Sequence, residues 1–157
     1  MENKLKQYSQ AQRQALNAWT KMVRSVGSVG QSDWMIMNEH GLTTSQFGIM
    51  ETLYHKGPLC QKDLGEKILK SGGNITKVVD NLERDGFAIR IRDEKDRRYF
   101  RISLTSKGTA KIKIVFPLVM NNLVKHFSVL TQTEQQKLAE LCKRIGLETK
   151  KGNQNEK

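Results

Sequence analysis

The sequence predicts a mainly α-helical fold with one small β-hairpin wing, a winged helix-turn-helix whose terminal helices pack on a second chain to form a dimer. Three observations lead to this prediction. Helical apolar stripes precede and follow two short segments of alternating pattern. A polar turn joins those two segments, which is typical of a β-hairpin. The terminal stripes have no sheet to cover, so we expect them to pack on each other and on a second chain.

Apolar spacing and capping residues mark the helices that precede the hairpin. A helical stripe covers about residues 4–29, and a second apolar group follows at 34–37. A Thr-Thr-Ser-Gln capping box at 43–46 opens the next helix, and Lys-Gly-Pro at 56–58 ends it. A short helix is expected over about 61–69. The two helices that start at residue 43 and at about residue 61 form the first part of the helix-turn-helix.

The most regular stripe lies in the helix predicted for residues 73–85. Its inward side chains follow the i, i+3, i+4, i+7 pattern in full: Ile75, Val78, Val79 and Leu82. Two alternating segments follow, at 88–92 and 99–104, and we expect them to form half-exposed strands around a polar tip. Further helices are predicted after Thr105 and after a second capping box at 131–134.

This order of elements predicts four regions along the chain. Residues 1–40 form an N-terminal dimerisation helix region, and residues 41–105 form the winged helix-turn-helix lobe. Residues 106–148 supply C-terminal dimerisation helices, and residues 149–157 form a polar tail.

The charge of the chain favours a polyanionic partner. Its 157 residues include 27 Lys and Arg against 16 Asp and Glu, a formal net charge of +11 that a dimer would double. No apolar run approaches the roughly 18 residues that span a bilayer, so no membrane segment is expected. Two well-separated cysteines make no disulfide framework, which suits a reducing cytoplasm.

The outward face of the helix at 73–85 mixes hydrogen-bonding groups with positive charge. At 100° per residue, the side chains that point away from the apolar stripe are Gly73, Lys77 and Arg84, flanked by Thr76 and Asp80 on one side and by Asn74 on the other. A helix that enters the major groove needs donors and acceptors for base edges and cations for phosphates. An ordinary solvated helix face has a similar composition. This face therefore indicates DNA binding only together with the hairpin that follows it.

The hairpin tip supplies that context. Arg97 and Arg98 lie where a wing would reach the adjacent minor groove, whose negative potential favours arginine. Asp96 suits a structural role there, because its carboxylate can hold a guanidinium or cap the turn. The residues predicted to bind DNA are Lys62, Ser71, Gly72, Gly73, Asn74, Thr76, Lys77, Arg84, Asp96, Arg97 and Arg98.

Several motifs in fixed order support a family resemblance. They lie at 41–47, 57–64, 71–83, 93–98 and 104–108. Over about Leu42 to Gly146, these residues resemble the MarR (multiple-antibiotic-resistance regulator) family. The motifs at 116–117 and 127–131 resemble a subgroup with regulators that respond to phenols, quinones or peroxides.

The resemblance implies a homodimeric repressor with interleaved terminal helices that binds a pseudo-palindromic double-stranded DNA operator. Two-fold symmetry would then place the recognition helices one DNA turn apart, about 34–36 Å. It also implies release by a small aromatic ligand or by thiol oxidation. By the motif match, Arg98 is the minor-groove arginine and Asp96 its positioner. Asn74, Thr76 and Lys77 are expected to make major-groove contacts.

Two features are candidates for the effector site. An aromatic ligand would contact side chains between the dimer helices and the DNA-binding lobe: Trp19, Met22, Met50, Tyr54 and Phe116. Such a cluster at helical spacing is also typical of plain core. Cys60 stands at a helix start near Lys62, where a thiol can react with oxidants, although a small buried residue is the simpler interpretation. Cys142 lies on an apolar stripe and is expected in the core.

Catalysis and metal binding are not expected from the sequence. The three histidines are isolated, with no cysteine or carboxylate at ligand spacing, and no nucleophile elbow or P-loop is present. We therefore expect no cofactor and no enzyme activity. Two other classes remain open: a winged-helix module that binds an acidic protein without DNA specificity, and a nucleic-acid enzyme with an unrecognised site.

Overall fold

The computed structural model describes residues 7–68, 72–93 and 100–155. Within them, the order of elements is α1 (Gln10–Glu39), α2 (Thr44–Lys56), β1 (Leu59–Cys60), α3 (Gln61–Lys67), α4 (Gly72–Arg84), β2 (Ala88–Arg92), β3 (Phe100–Leu104), α5 (Ser106–Phe127) and α6 (Gln132–Asn155). The predicted fold class is confirmed, with β1 as an additional strand of two residues. The chain divides into two compact units after Met120.

Helix α1 is longer than the sequence stripe indicated. It starts at a capping box formed by Ser9 and Gln12 and continues through Gly27 and Gly30, instead of ending near residue 29. Each helical glycine costs about 1 kcal/mol relative to alanine, which a 30-residue helix tolerates. Met37 is the buried residue of α1, so most of its apolar stripe is exposed in the single chain.

The core of the first unit lies between α2, α4, the sheet and the first half of α5. The capping box of Thr43 and Gln46 is present as predicted and starts α2. The Gln46 side chain also donates to Asp85 at 3.2 Å, which ties the start of α2 to the end of α4. The fully buried side chains are mainly aliphatic: Leu42, Ile49, Met50, Leu64, Ile75, Val79, Leu82, Ile102, Ile112 and Val115.

The sheet has the strand order β1-β3-β2, and both pairs are antiparallel. Arg90 lies opposite Ile102, which is fully buried, and Ala88 on the same face is also buried. Ile89 and Ile91 occupy the other face and are about half exposed. The face of β2 that carries arginine therefore turns toward the core, and the isoleucines turn away from it.

A tight junction joins the wing to α5. Gly86 has a φ of 74°, a conformation that favours glycine, and it ends the α4 segment. The Thr105 hydroxyl donates to the Gly86 carbonyl at 2.7 Å, and the Thr105 N–H donates to the Phe87 carbonyl at 3.1 Å. A Cβ built on Gly108 would lie 2.0 Å from the Phe87 carbonyl oxygen, so only glycine fits there.

The second unit contains the end of α5 and helix α6. Thr131 and Glu134 form the predicted capping box at the start of α6. The helix extends to Asn155, into the segment expected to be a polar tail. Among the described residues, no single helix is long and apolar enough to cross a membrane; only α5 and α6 taken together, with a break between them, reach that length and composition.

Candidate nucleic-acid interface

Helix α4 exposes a polar face, because the side chains on its opposite face are buried in the core. Ile75, Val79 and Leu82 are fully buried, which fixes the rotation of the helix about its axis. Lys77 and Arg84 are consequently exposed, and 71% of the Arg84 side chain is accessible. The Arg84 guanidinium also pairs with Asp85 at 3.2 Å, which directs it along the end of the helix.

The first residue of α3 contacts the same face. The Gln61 side-chain amide donates to the Thr76 hydroxyl at 2.5 Å, so the two helices of the helix-turn-helix share a hydrogen bond at their exposed edge. Lys62 follows Gln61 and is exposed. Sequence reasoning missed Gln61, and the signal that could have identified it is its position at the start of the helix preceding α4.

Part of the predicted DNA-binding set lies outside the described residues: Ser71, Asp96, Arg97 and Arg98. Gly72, Gly73 and Asn74 form the first turn of α4. The structure thus brings Lys62, Thr76, Lys77 and Arg84 onto α3 and α4, beside the two wing strands.

Arg90 joins the wing to α4 through two carboxylates that sequence reasoning did not assign. Its guanidinium donates to Asp80 at 2.6 Å and also to Glu83, and its backbone N–H donates to Glu83 at 2.7 Å. We call Asp80, Glu83 and Arg90 the Arg90 cluster. Two carboxylates at i and i+3 on the predicted recognition helix, followed by an arginine in a strand, were the available signal.

A second ion pair lies farther along the wing. The Arg101 guanidinium of β3 donates to Asp93, which follows β2, and only 12% of the Asp93 side chain is exposed. The hydrogen bond to Asp93 is the main cause that raises the pKa of Arg101 above its ordinary value. The pair joins β3 to the residue that follows β2 where the described part of the wing ends.

Cys60 is the N-cap of α3, as its position in the sequence suggested. Its Sγ accepts from the Asp63 N–H at 3.5 Å, and the residue is partly exposed. Cys60 also lies opposite Arg101 in the pairing of β1 with β3. Whether oxidants act on Cys60 stays a prediction. The expectation that Cys142 is in the core is wrong for the single chain, where Cys142 is exposed.

Two of the five residues predicted to bind a ligand contact the same histidine. The His55 ring lies edge-on to Tyr54 at 5.2 Å and to Phe116 at 4.8 Å. The His55 Nε2 atom also lies 3.8 Å from a carboxylate oxygen of Glu51, one turn earlier on α2.

The other three ligand candidates differ in their burial. Met50 is fully buried and lies on α2, the helix that also carries Tyr54 and His55. Met22 on α1 is partly exposed, and 59% of Trp19 is accessible. Across the described ranges, no group of three or more His, Cys, Asp or Glu side chains is arranged to hold a metal ion.

The chain has clear relatives in sequence. The sequence model of the MarR family matches residues 42–100. The uncharacterized helix-turn-helix-type transcriptional regulator YkoM of Bacillus subtilis is 34% identical over 85% of this chain and 86% of its own length. The helix-turn-helix-type transcriptional regulator MhqR of the same organism is 37% identical over 73% of this chain and 79% of its own length.

Solved structures share the fold. AbsC, a MarR family transcriptional regulator from Streptomyces coelicolor, aligns with a TM-score of 0.81 at 18% identity, over 91% of this chain and 97% of AbsC. The organohalide-sensing regulator RdhR-CbdbA1625, in its 2,4-dichlorophenol-bound form, aligns with a TM-score of 0.76 at 18% identity, over 86% of this chain and 80% of that protein.

The fold, the order of the sequence motifs and the identity to the curated relatives all indicate the same family. The relatives are named as regulators of transcription, not as enzymes. The chain belongs to the MarR family of winged helix-turn-helix transcriptional regulators, which bind DNA operators, are dimeric and are not enzymes.

Proposed function

We propose that this protein is a repressor that binds a pseudo-palindromic DNA operator as a homodimer and releases it when a small aromatic ligand binds. The observation that carries the proposal is the exposed polar and cationic face of α4, whose opposite face is fully buried. Thr76 and Asn74 would read base edges in the major groove from this face, and Lys77 would contact the phosphates that border it. The function would place the protein with the chromosome, in the cytoplasm.

The exposed apolar surface of the terminal helices supports the homodimer. In α1, Met37 is the buried residue, although the helix has 30 residues. Large apolar side chains remain accessible on α1, α5 and α6: Leu16, Trp19, Val23, Val26, Trp34, Met35, Ile114, Leu118, Val124, Leu138, Leu141, Ile145 and Leu147. Burying one such side chain stabilises a protein by roughly 1.5–3 kcal/mol, so a second chain that covers this set gains much.

The dimer assigns a role to each region of the chain. Residues 1–40 and 106–148 would form the dimer interface, residues 41–105 would bind one half-site, and residues 149–157 would extend from it. The symmetry axis would place the two α4 helices about 34–36 Å apart, in successive major grooves. Arg98, positioned by Asp96, would then enter the minor groove outside each half-site.

The aromatic group around His55 supports a ligand site. Tyr54 and Phe116 both contact His55, and Met50 lies buried on the same helix as Tyr54. Trp19 and Met22 on α1 would complete the set. The similar fold of RdhR-CbdbA1625 holds 2,4-dichlorophenol, a small aromatic ligand. Such a ligand would release DNA only if it prefers one spacing of the two recognition helices over the other.

DNA binding is tested by fluorescence anisotropy with the duplex upstream of the protein's own gene and with a shuffled duplex of equal composition. We expect a preference of about a thousandfold for the native duplex, a steep fall with salt, and weaker binding by Arg98→Ala. Equal weak binding to both duplexes would contradict a specific operator at that locus. Absence of binding at low salt would favour a protein-interaction module instead.

Dimerisation and ligand release need separate measurements. Sedimentation equilibrium should give twice the chain mass, and a charged substitution such as Leu141→Glu should lower it. Titration of the operator complex with 2,4-dichlorophenol should release DNA, and Phe116→Ala should weaken that response. A wild-type complex that is insensitive to phenols of this class would contradict the proposed ligand class.

Oxidation of Cys60 is the alternative release signal, and its position favours it over the exposed Cys142. Its thiol accepts a helix N–H at 3.5 Å, so oxidation would remove a cap from α3, next to Lys62. Peroxide should then release DNA from the wild type and leave Cys60→Ser bound. Equal sensitivity of both proteins would exclude this signal.

A further inference from the structure

Arg90 lies at the base of the wing and is held by α4 from two sides. Glu83 accepts both the Arg90 backbone N–H, at 2.7 Å, and one guanidinium nitrogen. Asp80, one turn earlier on α4, accepts the other guanidinium nitrogen at 2.6 Å. Asp80 and Glu83 lie about one helical turn apart, and both hold the same residue of β2. A movement of β2 along α4 would therefore break at least one of these hydrogen bonds.

The environment of the Arg90 cluster makes it stronger than an open surface pair. Arg90 faces the core side of the sheet opposite Ile102, and 26% of its side chain is exposed. Glu83 is similarly shielded, with 28% of its side chain exposed. Partial burial reduces screening by water and salt, so these charge-assisted hydrogen bonds hold a defined geometry.

Asp80 is more exposed than Arg90 and Glu83, so its charge can act on bound DNA. Its carboxylate is 55% exposed and lies one turn after Thr76 and Lys77 on α4. An unpaired carboxylate at that position would repel the phosphates that Lys77 is proposed to approach. The guanidinium of Arg90 neutralises it, and the same contact fixes the wing against the helix.

We infer that Arg90 is a positioning residue for operator binding, which acts through Asp80 and Glu83 and makes no contact with DNA itself. It sets the angle between the wing and α4, so that major-groove and minor-groove contacts form together. The inference rests on the proposed DNA-binding function. It differs from simple charge attraction in one respect: it assigns a favourable role to an acidic residue on a DNA-binding face.

Whether Asp80→Asn strengthens or weakens operator binding separates simple charge attraction from the positioning role. On charge alone, removing an exposed carboxylate from this face strengthens DNA binding. The positioning role predicts weaker operator binding, by about two- to fivefold, since one arm of the cluster is lost. Arg90→Gln should weaken binding about tenfold or more, because it breaks both arms and leaves two carboxylates unpaired.

A double-mutant cycle then tests whether the two residues act as a unit. The Asp80→Asn/Arg90→Gln protein should bind no more weakly than Arg90→Gln, because the Asp80 contact is already gone. Arg92→Gln is the matched control, since it removes the same charge from the same strand and Arg92 contacts the Phe100 ring instead. Its effect should add to that of Asp80→Asn.

Hydroxyl-radical footprints of the Arg90→Gln complex should lose protection at the outer ends, where the wing lies, and keep it in the centre. Tighter binding by Asp80→Asn, or additive losses in the double variant, would overturn the positioning role while the wild type still binds selectively. If Arg90→Gln does not fold, as judged by circular dichroism, the sign of the Asp80→Asn effect decides alone. Loss of selectivity in the wild type would overturn the proposed function and this inference with it.

Discussion

Gly108 lies where helix α5 passes closest to the turn between α4 and the wing. A Cβ at this position would meet three backbone atoms of Phe87: its carbonyl oxygen at 2.0 Å, its carbonyl carbon at 2.9 Å and its Cα at 3.1 Å. Real Cβ contacts are essentially never shorter than 3.0 Å, so Gly108→Ala requires a backbone shift of about 1 Å. No side-chain rotation can relieve it.

The expected loss of stability follows from the hydrogen bonds that this backbone shift weakens. The Thr105 hydroxyl accepts the Gly108 N–H at 3.0 Å and donates to Gly86, and the Thr105 N–H donates to Phe87. Three such bonds contribute about 1 kcal/mol each, and overpacking adds about 1–3 kcal/mol. Alanine regains about 1 kcal/mol of helix propensity. We expect Gly108→Ala to lower the free energy of unfolding by about 2–4 kcal/mol, since the hydrogen bonds weaken only in part.

Urea denaturation followed by circular dichroism, at one fixed protein concentration, measures this change. Gly48→Ala is the matched control: it lies in α2 of the same unit, and its Cβ would meet only the Ile68 side chain at 3.9 Å. That variant should be unchanged or more stable, by up to about 1 kcal/mol. Equal stabilities of the two variants would refute the reasoning, because they would mean that α5 and the turn separate without cost.

The cap of α3, the Glu134 carboxyl and the charge of Lys77 give three other predictions. Cys60→Ser should raise the free energy of unfolding by a few tenths to about 1 kcal/mol, because a hydroxyl is a better N-cap than a thiol at 3.5 Å, whereas Cys60→Ala should lower it; urea titrations decide the sign. The Thr131 backbone N–H and hydroxyl both donate to Glu134 and lower the pKa of that carboxyl below 4.5. Its contribution to stability is therefore present above pH 4.5 and lost as pH falls through the lowered value, which the Glu134 side-chain chemical shift should follow; a shift midpoint at or above 4.5 would contradict it. Lys77→Ala should weaken binding to all duplexes and reduce the slope of log K against log salt by about 1, whereas a base-reading lysine would lose selectivity and keep the slope.

Local signals in the sequence account for most of the helices. Capping boxes at Thr43 and Thr131 and the period of Ile75, Val79 and Leu82 depend on residues three to seven positions apart, which a single chain segment displays by itself. The polar face of α4 was predictable for the same reason: once the buried side is identified, the opposite side follows from helix geometry.

The sequence alone also indicated that the terminal helices carry apolar stripes with no sheet to cover and that the chain is strongly basic, because composition and period are properties of the chain. The tertiary structure alone decided which residues meet across long separations. The approach of Gly108 to Phe87 and the exposure of the α1 stripe depend on how elements pack. The contact of Arg90 with Asp80 depends on the pairing of β2 with β3, which turns arginine inward and isoleucine outward. An alternating strand gives two faces but does not say which one meets the core, because that choice depends on the elements that pack against the strand.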